Sequence, residues 1–392
     1  MIYIYGAFDR FNYGDLLFPK ILQIAFKAVN IASPVKLLGL VEADLTSNGG
    51  DCVEPVSKYI NQFNLNDILI IAGGEVIGAS IADLYLTIRK AGFLFFLNKL
   101  AGKAGLKNFV SPFCKLLLDL NLQYPYLLDE NQVGCKIIYN AVGGSFFSDE
   151  VLAPIKNSTY FSTRSFSLYN SLQERIEQEN EKNKIQLFPD SAAIVSDYFD
   201  KRNIRIKVLP ENITILESLK FSYIIFQVSK RYYSQHKRAI LKQLSELYAK
   251  SGLPILLVPI GIAFGHEDHV ACRDIKSLLS IPIYLLYSKT IYDIMYSIAN
   301  ARLFIGTSLH GNITAMSYNV SNIGIGGNKL DDYLKKWGVG LQKIGCVLPE
   351  DISIFALKVL NQNSNIYKAE NIKHKELAYR NIKNITNFVT GI

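Results

Sequence analysis

The chain has 392 residues, of which 49% are hydrophobic and 12% aromatic. It is therefore too apolar to be disordered and too long for one ordinary core, which suits two domains. Lysine and arginine number 42 against 34 acidic residues, a net charge of +8, which favours an anionic ligand or surface, and with no arginine-rich tract or nucleic-acid motif the reading is of no nucleic acid.

Residues 2–6 read as the first strand, and they start too close to Met1 for a signal peptide. The loop Phe11-Asn12-Tyr13-Gly14-Asp15 then leads into a helix over about 16–29. Gly14 permits a tight turn there, and Asn12 and Asp15 are natural capping residues. The loop is neither a dinucleotide GxGxxG fingerprint nor a Walker A loop.

Residues 67–72 form a buried strand that ends in Gly73-Gly74-Glu75, where clustered N–H groups would hold a carboxylate or phosphate. A further strand over 136–142 ends in Gly143-Gly144-Ser145. Three strands running into glycine-rich loops imply one sheet whose carboxyl edge is open to a ligand.

Between the last two of those strands lies an insertion over about 84–128. Its apolar run of Phe93, Leu94, Phe95, Phe96 and Leu97 is far shorter than the roughly 20 residues that span a bilayer. Arg89, Lys90, Lys99, Lys103, Lys107 and Lys115 are interspersed with almost no acids. That pattern fits a helix lying on an anionic membrane and fits equally a pair of core helices with snorkelling lysines.

Phe161-Ser162-Thr163-Arg164-Ser165 places an arginine at a loop-to-helix junction, where it would grip a phosphate or carboxylate bidentately. Residues 185–192 form a later strand and carry Asp190, which is expected to fix local structure rather than perform chemistry. The stretch 200–217 is charged and irregular, and the domain boundary is placed at 206/207.

A second alternation of strand and helix follows, with strands over 221–228, 254–260 and 283–286 and helices over 234–251 and 290–299. His266, Glu267, Asp268 and His269 follow the second of these strands. Four consecutive positions suit helix capping better than a tetrahedral metal site, so no metal is expected, while His266 and Asp268 are placed to meet sugar hydroxyls. Cys52, Cys114, Cys135, Cys272 and Cys346 are scattered and odd in number, as for reduced thiols in a cytosolic setting.

The most informative stretch is 303–337. Leu303-Phe304-Ile305-Gly306 reads as a buried parallel strand that stops at a sheet edge. Thr307, Ser308 and His310 follow at once, beside a helix over about 312–318 whose free N–H groups favour an anion. A strand over 322–325 then ends in Gly326-Gly327-Asn328-Lys329, which returns a lysine to the same edge. A lone histidine is commonly a packed or surface residue; this ordered succession points instead to a site.

The stretch resembles the C-terminal signature of the polysaccharide pyruvyl transferase family: a strand, then Ser308-Leu309-His310-Gly311, then Lys329 and the helix containing residues 332–338. Asn12-Tyr13-Gly14-Asp15 is similar to the family's N-terminal element. Gly73-Gly74-Glu75 resembles its glycine triplet, with Glu75 as the third member, and Arg164-Ser165 its arginine-aspartate pair. Ser308 stands where many members have arginine.

The resemblance implies an α/β protein of two doubly wound, Rossmann-like domains facing a cleft, GT-B-like, over 1–206 and 207–392, with terminal helices that cross back to the first domain. It implies transfer of the enolpyruvyl portion of phosphoenolpyruvate to a saccharide, forming a cyclic ketal and releasing phosphate, with no cofactor. His310 would be the acid and base, since its ordinary pKa lies near neutrality. Arg164, Thr307, Ser308 and Lys329 would hold the donor, and Asn12, Asp15, Gly73, Gly74, Glu75, His266 and Asp268 would line the cleft and meet the acceptor.

A membrane-bound insertion would make that acceptor a lipid-linked glycan, with the protein cytoplasmic and peripheral at the inner face of the cell membrane. A nucleotide-sugar glycosyltransferase of the same architecture and a non-catalytic scaffold that binds glycan or membrane remain as alternatives.

Overall fold

The computed structural model describes residues 1–89, 110–144, 149–176, 184–261, 267–362 and 364–391. Its first sheet contains β1 (Ile2–Tyr5), β2 (Val35–Gly39), β3 (Ala43–Asp44), β4 (Cys52–Pro55), β5 (Ile68–Ile71), β6 (Glu75–Ile77), β7 (Lys136–Gly144), β8 (Tyr160–Thr163) and β9 (Ile185–Leu187). They lie in the order β3-β4-β2-β1-β5-β7-β8-β9, with β6 against the end of β7. Every pairing is parallel except β3 with β4.

The second sheet is wholly parallel, in the order β12-β11-β10-β13-β14. Its strands are β10 (Ile224–Gln227), β11 (Ile255–Leu257), β12 (Ile283–Leu285), β13 (Leu303–Gly306) and β14 (Asn322–Gly324). Strand order reverses beside β1 and beside β10, and such a switch point opens a crevice at the carboxyl ends of the strands.

Side-chain alternation sorts the core into three layers. In β1, Tyr3 and Tyr5 face the outer layer of the first half, while Ile2 and Ile4 face inward. In the second sheet Ile224 and Phe226 face outward and Ile225 inward. The inner layer is common to both halves: Tyr13, Leu17 and Phe18 pack with Leu309, Ile313 and Met316. The long helix Ser364–Thr390 adds to it, with Asn381 accepting from Tyr160 at 2.8 Å and donating to Asn140 at 2.8 Å.

Several local expectations are corrected. The stretch read as irregular holds helices Lys201–Arg205 and Pro210–Ser218, the first capped by the Asp200 carboxylate and the second opened by proline. Asn12 and Asp15 do not cap the helix Leu17–Ala28, which has no side-chain cap; they bond to each other at 2.7 Å. The residues after Gly73-Gly74 continue into β6, which pairs with the end of β7. Of the insertion, 90–109 lies outside the described residues, as do His266 and Ser145.

Candidate active site

β13 ends at Gly306, where a Cβ would stand 2.7 Å from the side-chain oxygen of Gln227 on the neighbouring β10. That close approach lets Gln227 Oε1 accept the Ser308 N–H at 2.8 Å and fix the turn. Ser308 caps the helix Leu309–Ser317 by accepting the Gly311 N–H at 3.1 Å. His310 is thus held in the first turn of a buried helix and directed at the other half of the molecule. Its ring meets Phe18 edge-on, with centroids 5.4 Å apart. It also lies over Gly14, where a Cβ would be 1.8 Å from Nδ1.

The opposing wall is built from β8. Between Tyr139 and Val142 the register of β7 against β8 shifts, and Ala141 takes a φ of 46° and donates its N–H to Ser162 Oγ at 2.8 Å. Such a bulge redirects the strand end, and Arg164 emerges from that end with its carbonyl bonded to Trp337 Nε1 at 2.9 Å. Arg164 is 3% exposed. It bonds Asp190 through Nη1 and Glu75 through Nη2 at 3.3 Å, and Nη1 is 3.4 Å from His310 Nε2.

Asp190 Oδ2 lies 3.4 Å from the same nitrogen. Burial alone would raise the Asp190 carboxyl pKa, but the Arg164 charge and the His310 contact outweigh it and hold the group well below the usual carboxylate range. Asp190 does fix local structure, accepting the Ala192 N–H at 2.8 Å. It is also part of the His310 cluster, which the sequence reading did not expect.

These groups open onto a cavity of about 690 Å³ between the two sheets, which Thr307, Ser308, His310 and Lys329 line from the second half and Asn12, Asp15, Gly74, Glu75 and Arg164 from the first. Asp268 also lines it, 1% exposed. Gly73 does not; it packs against Phe18, and its φ of 125° is one that only glycine adopts freely. A second cavity of about 520 Å³ shares Glu75, Arg164 and Lys329 with the first, and Ser165, Ser167, Ser171 and Asp332 add hydroxyls and a carboxylate to its lining.

Among the lining residues that escaped the sequence reading are Arg10, Arg231 and Gln227. Arg10 is paired with Asp9 at 2.8 Å, Arg231 lies in the first turn of the helix Lys230–Ser251, and Gln227 joins the two walls of the second half. Arg10 precedes the Asn12 element by only two positions, and Gln227 is the one polar residue closing an apolar strand, a signal that was available. Arg231 and Lys329 are exposed at the starts of two helices and line the cleft, so these cations sit where helix dipoles already favour an anion. Arg164 differs: its charge is already met by two carboxylates. Among the described residues no His, Cys, Asp and Glu are grouped to hold a metal.

The architecture is that of GT-B-like proteins. It superposes on a UDP-GlcNAc 2-epimerase from Methanocaldococcus jannaschii with a TM-score of 0.52 at 11% identity, covering 93% of each chain. The Neisseria meningitidis UDP-GlcNAc 2-epimerase gives 0.54 at 11% identity, covering 100% of this chain and 99% of that one. The trehalose-6-phosphate synthase OtsA gives 0.53 at 10% identity with the same coverage. At these identities the likeness is one of fold. No curated protein matches the chain by sequence. The family comparison is specific where these are not: residues 12–328, well over half the chain and running from the Asn12 loop to the doorstep of Lys329, match polysaccharide pyruvyl transferase, and the chain belongs to that family.

Proposed function

We propose that the chain moves the enolpyruvyl group of phosphoenolpyruvate onto two hydroxyls of a lipid-linked oligosaccharide or polysaccharide precursor, forming a cyclic pyruvate ketal and releasing phosphate. The observation that carries this reading is His310, held against Gly14 and beside the Arg164–Asp190 pair at the mouth of a cavity with exposed cations. The reaction needs a proton delivered to the enol carbon, an anion site for the donor, and hydroxyl-binding groups opposite.

In this reading the chain is two units, 1–206 and 207–392, closing on one cleft. His310 is the acid and base, with its orientation set by Phe18, Gly14 and Arg164. Lys329 and Arg231, at two helix starts, receive the phosphate, with Thr307 and Ser308 beside them. Arg164 faces the donor carboxylate while keeping His310 in register. Asn12, Asp15, Gly74 and Glu75 meet the acceptor.

The test is phosphate release from phosphoenolpyruvate with membrane-extracted lipid-linked oligosaccharide. Release by the wild-type chain that vanishes in a His310→Ala chain of unchanged melting temperature supports the reading. Nucleoside diphosphate release from a nucleotide sugar, with phosphoenolpyruvate untouched, would overturn it.

A lipid-linked acceptor requires the protein to work at a membrane, on its cytoplasmic face. Among the described residues no helix is long and apolar enough to cross one. The helix Ser111–Leu117, inside the insertion, instead exposes Phe113, Leu116 and Leu117 beside Lys115, with Leu116 78% exposed. Apolar side chains next to a cation suit an anionic bilayer surface. The protein should sediment with vesicles containing phosphatidylglycerol and not with pure phosphatidylcholine, and Leu116→Glu should weaken that binding several-fold. Equal partition to both vesicles would count against a charged membrane surface.

A further inference from the structure

We propose that Asp268 is a second proton-handling residue of this site: its carboxylate receives the proton of the acceptor hydroxyl that attacks the enolpyruvyl carbon. This rests on the pyruvyl-transfer reading above.

Asp268 begins the helix Asp268–Leu278, is almost wholly buried, and lines the cavity that His310 lines. One of its oxygens is fully employed. Oδ2 accepts from Gln227 Nε2 at 2.6 Å, from the Gly261 N–H at 2.8 Å and from the Ile260 N–H at 3.1 Å. The other, Oδ1, has no hydrogen-bond partner among the described residues. Buried polar atoms are rarely left so, and an unpaired one raises the question of what it is kept for.

Local structure does not answer that question. Holding Gln227 and the turn after β11 needs a single acceptor oxygen, which an asparagine amide supplies equally well. The carboxylate adds only a buried negative charge, and burial pushes its pKa up to about 6 against the three donors from Gly261, Gln227 and Ile260. A carboxylate poised near neutrality in a cleft is of the kind used to take up and return a proton.

Its connection to the rest of the site is short. Gln227 donates to Asp268 through Nε2 and accepts from the Ser308 N–H through Oε1, so one side chain sets both Asp268 and the turn that carries His310.

In this scheme the proton transfers divide between two such groups. His310 delivers a proton to C3 of the enolpyruvyl group. The first acceptor oxygen bonds to C2 as its proton passes to Asp268. The C2–O bond to phosphate then breaks, and the leaving phosphate takes the proton from Asp268. The second hydroxyl closes the ring at C2, and its proton restores His310. Phosphoenolpyruvate and a diol become a ketal and phosphate with no oxidant, reductant or further reactant.

The decisive variant is Asp268→Asn in the full chain, assayed for phosphate release from phosphoenolpyruvate with membrane-extracted lipid-linked oligosaccharide. Three quantities are read: kcat, phosphoenolpyruvate affinity by calorimetry, and melting temperature at mildly alkaline pH. We expect kcat to fall by about 10²- to 10⁴-fold, donor affinity to stay within a few-fold, and the melting temperature to hold or rise, since a buried charge has been removed.

A variant that keeps the wild-type kcat overturns the proposal. So does one that melts far below wild type, which would mark a structural carboxylate. Absence of phosphate release from the wild-type chain with any acceptor is the separate failure of the pyruvyl-transfer reading, and it removes this proposal too.

Discussion

At the scale of single residues, the site depends on what is missing as much as on what is present. Gly14 lies in the turn expected of it, and without a side chain it also lets the His310 imidazole lie directly on the backbone. Gly14→Ala would push that ring aside by more than an ångström. Displacements of this size cost catalysis about 100-fold, so kcat for phosphate release should fall by about that factor while the fold, read by circular dichroism, persists. Wild-type activity in Gly14→Ala would mean that the ring position does not matter. The sequence made His310 visible because a strand, a hydroxyl pair and a helix surround it within ten positions. It could not show the Arg164 cluster, whose members are 26, 89 and 146 residues apart and meet only through the sheet order.

At the scale of elements, β strands were legible because β1, β5 and β13 are uninterrupted apolar runs closed by glycine, the signature of strands covered on both faces. Helix starts were harder, because some are completed from outside their own segment. The helix Phe166–Ile176 has Ser165 at its head, bonding the Leu168 N–H at 3.2 Å. Its other free N–H groups, on Phe166 and Ser167, are met by the Asp332 carboxylate at 3.0 Å each. Asp332 also accepts from the Ser165 hydroxyl at 3.0 Å and the Ser167 hydroxyl at 2.5 Å. It belongs to the helix Asn328–Trp337 in the other half, which also carries Lys329. A cap supplied from the other half of the chain leaves no local sequence signal. Removing it with Asp332→Ala should cost about 1–2 kcal/mol, read as a lower urea midpoint. It should also weaken phosphoenolpyruvate binding, because Lys329 loses its anchor to the first half. A variant as stable as wild type would show that the four bonds are replaced by water without loss.

At the scale of the whole molecule, two buried titratable groups set opposing responses to acid. His374, on the long C-terminal helix, is wholly buried against Tyr333 and Trp337, and burial pulls its pKa down to about 4 from 6.5. The unfolded chain therefore binds a proton that the folded chain refuses: the stability His374 allows is complete above pH 6.5 and is lost as pH falls towards 4. Asp268 works the other way. Burial raises its pKa from 3.8 to about 6, so the folded chain binds the proton more tightly, and the associated stability is complete below 3.8 and lost as pH rises through 6. Each shift corresponds to about 3 kcal/mol, and the two windows nearly coincide. Asp190 stays out of this balance, because its depressed pKa delays its loss to stronger acid. Wild-type stability should consequently be nearly flat between pH 7 and about 4. His374→Phe should grow more stable as pH falls across that window, and Asp268→Asn should grow less stable. The measurement is the urea midpoint of all three chains as a function of pH. Parallel curves would show that neither group is held in the protonation state its burial imposes. Diverging curves of opposite slope would establish that the cleft carboxylate carries a free-energy cost at neutral pH, which the fold bears for a reason other than stability.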